Sequence, residues 1–388
     1  MSRFTDHAGR PVIAITGAGV VSSLGSGKDE NWAKLTAGQS GIHRITRFAT
    51  DHLRTTIAGT VDFMSPPEAG SVALSYAMAE FAALEAIAES GLSQSEFGGP
   101  LFLAAPPVEL EWWQRIALDA DGAKSGGEPG YQRLLHAART GSHPAFFQSA
   151  QFGTIASRLQ QRIGTRGLPI TLSTACASGA TAIQLGVEAI RRGEAERVVA
   201  VGTDGSVTSE ALVRFSLLSA LSTQNDVPEK ASKPFSKDRD GFVMAEGAGA
   251  LVMESLESAT ARGATVLGIL EGCGECADDF HRTRSKPDGS PAIAAVRAAL
   301  DDAGVSTGDV GYINRWTMEI TNNSRHYSIP LVAGRRIAQI VFFETGPILD
   351  TDYAASGKYQ ASGLDLGALK RSWEPTQMLP RLYADRDI

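Results

Sequence analysis

Residues 170–180 read Ile-Thr-Leu-Ser-Thr-Ala-Cys-Ala-Ser-Gly-Ala, a β-branched apolar run that passes straight into a cluster of small residues. From Ala177 onward apolar side chains recur at helical spacing as far as Arg192, where Gly193 supplies a stop. The pattern predicts a buried strand over 170–173, a turn at Cys176 and a helix over 177–192. The same grammar repeats on both sides. Residues 12–16 form a short apolar strand followed by Gly17-Ala18-Gly19, read here as a tight turn. An Ala-rich helix over 72–90 ends at Gly91, and strands follow at 101–105, 197–202, 248–253 and 266–271. A helix over 291–303 stops at Gly304, and a strand is expected at 310–313. Strands alternating with helices, punctuated by glycine, define an α/β protein with a largely parallel or mixed sheet. Residues 109–142 are more polar and read as an insertion.

The chain has 388 residues, enough for two or three structural units, and 43% of them are hydrophobic, which excludes disorder. With 36 Lys+Arg against 43 Asp+Glu, the net charge of −7 argues against a nucleic-acid partner. Three cysteines exclude a disulfide scaffold and fit a reducing compartment. The polar opening, residues 1–11, lacks the pattern of a signal peptide. The most apolar long stretch, residues 168–190, carries too many Thr, Ser, Gln and Glu residues to insert in a membrane. A cytoplasmic location is expected.

At about Arg315 the pattern changes. Trp316, Met318 and Ile320 alternate with polar residues, and 327–332 and 337–343 read as a hairpin around Ala333-Gly334. A Ser-, Gly- and Asp-rich loop covers 350–367. An all-β segment thus follows the α/β part with no linker between them.

The chemistry centres on Cys176. A cysteine at the start of a long helix faces unpaired N–H groups and the positive end of the helix dipole, which favour the thiolate. Small neighbours leave room for a carbonyl to reach the sulfur, and backbone N–H groups there can hold an oxyanion. A buried structural cysteine is the alternative, but the strand–Cys–helix setting favours a nucleophile.

Several motifs in order then resemble the β-ketoacyl-[acyl carrier protein] synthases. They are Ser173-Thr174-Ala175-Cys176-Ala177-Ser178-Gly179-Ala180, Ala220-Leu221-Ser222-Thr223, Lys233-Pro234-Phe235, Asp238-Arg239-Asp240-Gly241-Phe242-Val243 and Glu246-Gly247-Ala248-Gly249. The opening Ile15-Thr16-Gly17-Ala18-Gly19 with Gly41-Ile42 and Phe48 fits as well. The resemblance spans residues 12–314. It implies a thiolase-like fold of two similar α/β halves, a homodimer, and decarboxylative condensation of an acyl thioester on Cys176 with malonyl-acyl carrier protein. The partners implied are acyl carrier protein and acyl and malonyl thioesters; no cofactor is implied. Phe215 matches an acyl-pocket aromatic of that family, with a plain core role as the alternative. Thr283, in the stretch Asp279-Phe280-His281-Arg282-Thr283, matches a substrate contact near the pantetheine arm.

The family also uses two histidines, the first in a His-Gly-Thr motif after a strand ending like Gly311-Tyr312-Ile313-Asn314. Here Arg315-Trp316-Thr317 follows, and the later Lys, Gly-His and Gly-Phe-Gly-Gly motifs are absent. His326 has no glycine beside it. Residues 315–388 instead resemble the C-terminal part of dCTP deaminases of the dUTPase-like family. That likeness makes Glu319 the counterpart of the water-activating carboxylate, and Tyr353, Lys358 and Gln360 the counterparts of tail residues over the triphosphate. The expected organisation is therefore a thiolase-like N-terminal half over 1–255, the start of its second half over 256–314, and a deaminase-like β segment over 315–388. Impaired condensation follows as an expectation. A non-catalytic acyl-carrier-binding subunit and a nucleotide deaminase are the alternatives.

Two smaller patterns carry less. Cys273-Gly274-Glu275-Cys276 has CxxC spacing but lacks the further ligands of a zinc site, so no metal is expected. Gly17-Ala18-Gly19 is half of a dinucleotide fingerprint without its third glycine or acidic residue.

Overall fold

The computed structural model describes residues 3–66, 68–126, 129–141, 143–234, 236–281 and 285–310, with the backbone of the strand Phe343–Thr345. Strands β1 to β5 are Ile13–Ser22, Gly25–Ser26, His43–Arg44, Ile57–Ala58 and Leu101–Ala104; β6 to β10 are Ile170–Leu172, Arg197–Asp204, Gly247–Ser255, Gly268–Leu270 and Phe343–Thr345. Helices α1 to α6 are Lys28–Thr36, Ser71–Glu89, Gln94–Phe97, Trp112–Lys124, Tyr131–Thr140 and Pro144–Ser149. Helices α7 to α11 are Thr154–Ile163, Ser178–Arg191, Ser209–Leu217, Leu256–Ala261 and Ser290–Ala303.

The main sheet runs β10-β9-β1-β8-β7-β5-β6. Only β7-β5-β6 pair in parallel; the other neighbours are antiparallel. Side-chain alternation divides the strands between two helical layers. Leu101, Leu103, Val199, Val201, Ala250 and Val252 pack with α2 and α7 on one face. Phe102, Ala104, Val198, Ala200 and Met253 pack with α8 on the other. Strands covered on both sides must be apolar throughout, which is why they read as continuous runs rather than alternations.

The expectation for residues 12–19 needs correction. Gly17-Ala18-Gly19 does not turn the chain; it lies inside β1, which continues to Ser22 with an irregularity between Ile15 and Gly17. The glycines serve close packing instead. A Cβ on Gly17 or Gly19 would lie 1.9 Å from the Ala86 carbonyl oxygen or 2.0 Å from that of Ala82, both on α2. With β1 running straight through, no phosphate-cradling turn exists there. Helix α2, not residues 168–190, is the stretch long and apolar enough to cross a membrane among the described residues; half of it is buried, against the sheet.

The polar insertion folds into α4 and α5, and the Trp112 N–H donates to Glu210 of α9. Beyond residue 255, β9 pairs with β1 and β10 pairs with β9, extending the sheet. Asp302 of α11 ties this region to the rest, accepting from Arg191 Nη1 and Arg10 Nη1, each at 2.7 Å, and from Cys273 N at 2.8 Å. The expected strand at 310–313, the hairpin over 327–343 and the loop over 350–367 lie outside the described residues, apart from Val310 and the backbone of Phe343.

Candidate active site

Cys176 sits on the connection between β6 and α8, and its side chain is exposed. The connection is backbone-strained. Ala175 adopts φ of 55°, a left-handed conformation that a side chain with a Cβ enters at a cost of about 1–2 kcal/mol. Ser178, the first residue of α8, holds this turn from both sides. Its hydroxyl donates to the Ala175 carbonyl at 2.6 Å and accepts from the Thr174 N–H at 2.8 Å. The Ala177 and Ser178 N–H groups close the turn onto the Thr174 and Ala175 carbonyls. The thiol thus stands at the N-terminus of a 14-residue helix with only small residues beside it. That setting favours the negative charge of a tetrahedral adduct formed at the sulfur.

A second group of motifs from the sequence is brought together by Asp240. Its carboxylate accepts from Ser222 Oγ at 2.6 Å, Thr223 N at 2.8 Å, Thr223 Oγ1 at 3.0 Å and Gln224 Nε2 at 3.1 Å. Burial pushes this carboxyl up, but the hydrogen bonds outweigh it and hold Asp240 below the usual range. Gly241 is required because a Cβ would lie 2.3 Å from the Leu221 carbonyl carbon. Next to this clasp, Phe215 of α9 meets Phe242 edge to face at 5.4 Å between ring centroids. Lys233 pairs with Asp238 at 2.6 Å.

Below this clasp lies a buried ion pair. Glu246 is fully buried and receives both Arg47 nitrogens, at 2.7 and 2.9 Å, together with the Val61 and Val207 N–H groups. Arg47 also pairs with Asp62, which accepts from Thr60 and His43. The opening motif around residue 41 and the Glu-Gly-Ala-Gly motif are therefore two sides of one contact.

Among the residues expected to form the site, Cys176 and Phe215 lie within the described residues. Thr283, Glu319, Tyr353, Lys358 and Gln360 lie outside them, as does His326. Cys273 is packed beneath α8, and burial, with Asp302 adding to it, pushes its thiol up to about 12. Cys276 is exposed. No group of three or more His, Cys, Asp or Glu that could hold a metal occurs among the described residues. One contact leaves no mark in the residue pattern: Glu275, between the two cysteines of the CxxC, accepts a hydrogen bond from Thr181 on the first turn of α8 at 3.0 Å.

The mixed sheet between two helical layers, with the strained cysteine turn between β6 and α8, is a thiolase-like ketosynthase fold. The family model for the β-ketoacyl synthase N-terminal domain matches residues 10–259. The chain is 36% identical over 312 residues to 3-oxoacyl-[acyl-carrier-protein] synthase 2 of Vibrio cholerae, covering 78% of this chain and 72% of that protein. It is likewise 36% identical over 318 residues to the enzyme of that name from Rhizobium meliloti, covering 78% and 73%. Among solved structures, a β-ketoacyl synthase from Burkholderia phymatum matches with a TM-score of 0.61 at 28% identity, over 76% of this chain and 71% of that one. A type II PKS ketosynthase, solved in complex with its acyl-carrier protein, matches at 0.62 and 28% identity, over 77% and 71%. The chain belongs to the β-ketoacyl synthase family, as the motifs from Ile15 to Gly249 led us to expect.

Proposed function

We propose that this chain accepts an acyl group from an acyl carrier protein onto Cys176. The observation that carries this is the exposed thiol on a strained turn at the N-terminus of α8. The Cys176 thiolate attacks the thioester carbonyl, giving a tetrahedral oxyanion that the positive N-terminal end of α8 stabilises. Collapse breaks the bond to the carrier's sulfur, and that thiolate takes up the proton that Cys176 gave away. The product is an acyl-Cys176 thioester and a free carrier thiol. The relatives' name, 3-oxoacyl-[acyl-carrier-protein] synthase 2, supports fatty-acyl elongation as the setting, with malonyl-acyl carrier protein as extender.

Full condensation is proposed to be impaired. The family's first catalytic histidine belongs where Arg315-Trp316-Thr317 stands, and the resemblance of residues 315–388 to a deaminase tail supports a chimeric chain joined after Asn314. Losing one preorganised donor costs about 10²–10³ in rate, and here several go together. That observation also favours a second reading, a non-catalytic acyl-carrier-binding partner subunit. A homodimer and a cytoplasmic location belong to the same proposal. Deamination of dCTP by the tail, through Glu319, is the least supported, since the family's N-terminal phosphate-binding half has no counterpart here.

Intact mass after incubation with an acyl-acyl carrier protein tests this, beside Cys176→Ala. Acyl transfer predicts a thioester adduct in the first and none in the second. A monodisperse protein that gains no acyl mass would leave the partner-subunit reading standing. Adding malonyl-acyl carrier protein should then give little or no 3-oxoacyl product; fast turnover would overturn the claim of impaired condensation.

A further inference from the structure

Three polar contacts connect the cysteine turn to a segment 94 residues beyond α8's first turn. Thr174 Oγ1 and Thr181 Oγ1 are 2.9 Å apart, and Thr181 Oγ1 lies 3.0 Å from Glu275 Oε1 and 3.2 Å from the Ala177 carbonyl oxygen. Thr174 precedes Cys176 and Thr181 follows it, so the linked pair straddles the nucleophile.

Hydroxyl chemistry fixes the direction of this chain. A threonine has one proton to donate, and an ionised carboxylate only accepts. A hydrogen bond to a carboxylate is stronger than one to a carbonyl or a hydroxyl. Thr181 therefore donates to Glu275 and accepts from Thr174. The Thr174 proton is directed toward α8, and its orientation depends on a carboxylate two bonds away. Such chains strengthen one another cooperatively.

The far end of the chain is anchored. Gly272 and Gly274 lie against α11, where a Cβ would come within 2.4 Å of the Ala299 carbonyl oxygen and 2.1 Å of that of Ala295. The Cys273 N–H donates to Asp302, itself gripped by Arg191 and Arg10. Glu275 is thus held on a braced segment against the turn that needs holding. Left-handed Ala175 persists only if its surroundings over-determine it.

We propose that Glu275 is a positioning residue for Cys176, acting through Thr181 and Thr174 to hold the turn that presents the thiol. It rests on Cys176 as the acyl acceptor. The experiment is single-turnover acylation of Cys176 by an acyl-acyl carrier protein, followed by intact mass at several carrier concentrations. In parallel, iodoacetamide labelling of Cys176 is followed by peptide mapping. Glu275→Ala should lower the saturating acylation rate about tenfold, with the half-saturating carrier concentration unchanged. Glu275→Gln keeps an acceptor oxygen and should recover to within about threefold of the parent. Thr181→Val should match Glu275→Ala, and the double variant should be no slower than either. Equal losses for Gln and Ala, a parent-like Glu275→Ala, or additive losses in the double variant would each overturn the proposal. If Glu275→Ala proves unfolded by thermal melting, Thr181→Val against Thr181→Ser makes the same comparison. Should the parent itself take no acyl group, Cys176 as acceptor fails. The same ranking in the iodoacetamide rates would then still support Glu275 as positioning the thiol, and identical rates would overturn it.

Discussion

Gly17 lies beneath the carbonyl of Ala86 with no space for a side chain: a methyl group there would sit 1.9 Å from the oxygen. The clash is with helix backbone, which cannot swing aside as a side-chain tip could. Gly17→Ala is expected to cost about 3 kcal/mol or more of unfolding free energy, at or beyond the upper end for overpacking. Gly153→Ala is the contrast, since Gly153 has φ of −82° and nothing within 4 Å of an added Cβ. It should stay within about 1 kcal/mol of the parent, since the freedom removed from the unfolded chain is offset by alanine's poorer fit at the N-cap of α7. Urea unfolding of the two variants checks both, and equal stabilities would show that β1 and α2 can separate freely.

The Arg47–Glu246 pair makes a second prediction. Glu246 is fully buried and Arg47 partly exposed, so burial acts mainly on the carboxyl and raises it above 4.5, while Arg47 and the Val61 N–H pull it down. Arg47→Met leaves a buried carboxylate without its cation, which typically costs about 3–5 kcal/mol. The sign of the pH dependence follows from the raised value. The folded state holds this proton more tightly than the unfolded chain does, so this group's contribution is present below its unfolded value and is lost as pH rises through the folded one. Removing Arg47 raises that point further. The Arg47→Met defect should therefore shrink between pH 7 and pH 5, and Arg47→Met/Glu246→Gln should recover part of it at pH 7. A defect independent of pH would mean that Glu246 carries no charge in the fold.

Asp62 behaves oppositely. Burial pushes it up, but hydrogen bonds from Thr60, Arg47 and His43 outweigh this and bring it from 3.8 to about 2. A depressed carboxyl stabilises above its unfolded value and loses that contribution as pH falls through the folded one. The parent should thus be more stable than Asp62→Asn above about pH 4, with the gap closing toward pH 2. The side chain is 41% exposed, so the gap should also narrow in high salt. Denaturation midpoints at pH 6, 4 and 2.5 test this, and a gap that widens on acidification would refute the assignment.

Much of this was legible in residue patterns because burial on two faces leaves a mark. The strand at 101–104 and the centre of the strand at 197–204, Val198 to Val201, show as unbroken apolar runs, and the helices at 72–90 and 291–303 announce their ends with Gly91 and Gly304. Cys176 stands out because a cysteine among small residues between strand and helix is chemically conspicuous. Gly17-Ala18-Gly19 misled because glycine serves tight turns and tight packing equally, and only the position of α2 separates them. Ala175 carries no sign of its left-handed backbone, since alanine is the residue least associated with it. The Thr181–Glu275 contact depends on tertiary packing alone; the CxxC spacing around Glu275 raises only the question of a metal, which the missing further ligands answer in the negative. Asp240 could be quoted as part of a motif, but its four hydrogen bonds to residues 222–224 appear only when the loops are folded together.

Ala175→Gly separates stability from function at the cysteine turn. Glycine relieves a left-handed alanine, a gain of about 1–2 kcal/mol, against a greater loss of chain entropy of about 0.5–1 kcal/mol on folding. The variant should therefore unfold at equal or slightly higher urea concentration. The Ser178 hydroxyl would still reach the residue-175 carbonyl, but the turn would no longer be confined to one conformation, because glycine has other conformations open to it. Acylation of Cys176 should slow although the protein is no less stable, the relation expected where strain serves presentation of a reactive group. Ala175→Val, by contrast, places a β-branched residue at φ of 55° and should lose both stability and acylation. Measuring urea midpoints and single-turnover acylation on the same preparations decides the matter: if Ala175→Gly acylates as fast as the parent, the strained backbone is a packing consequence with no part in presenting the thiol.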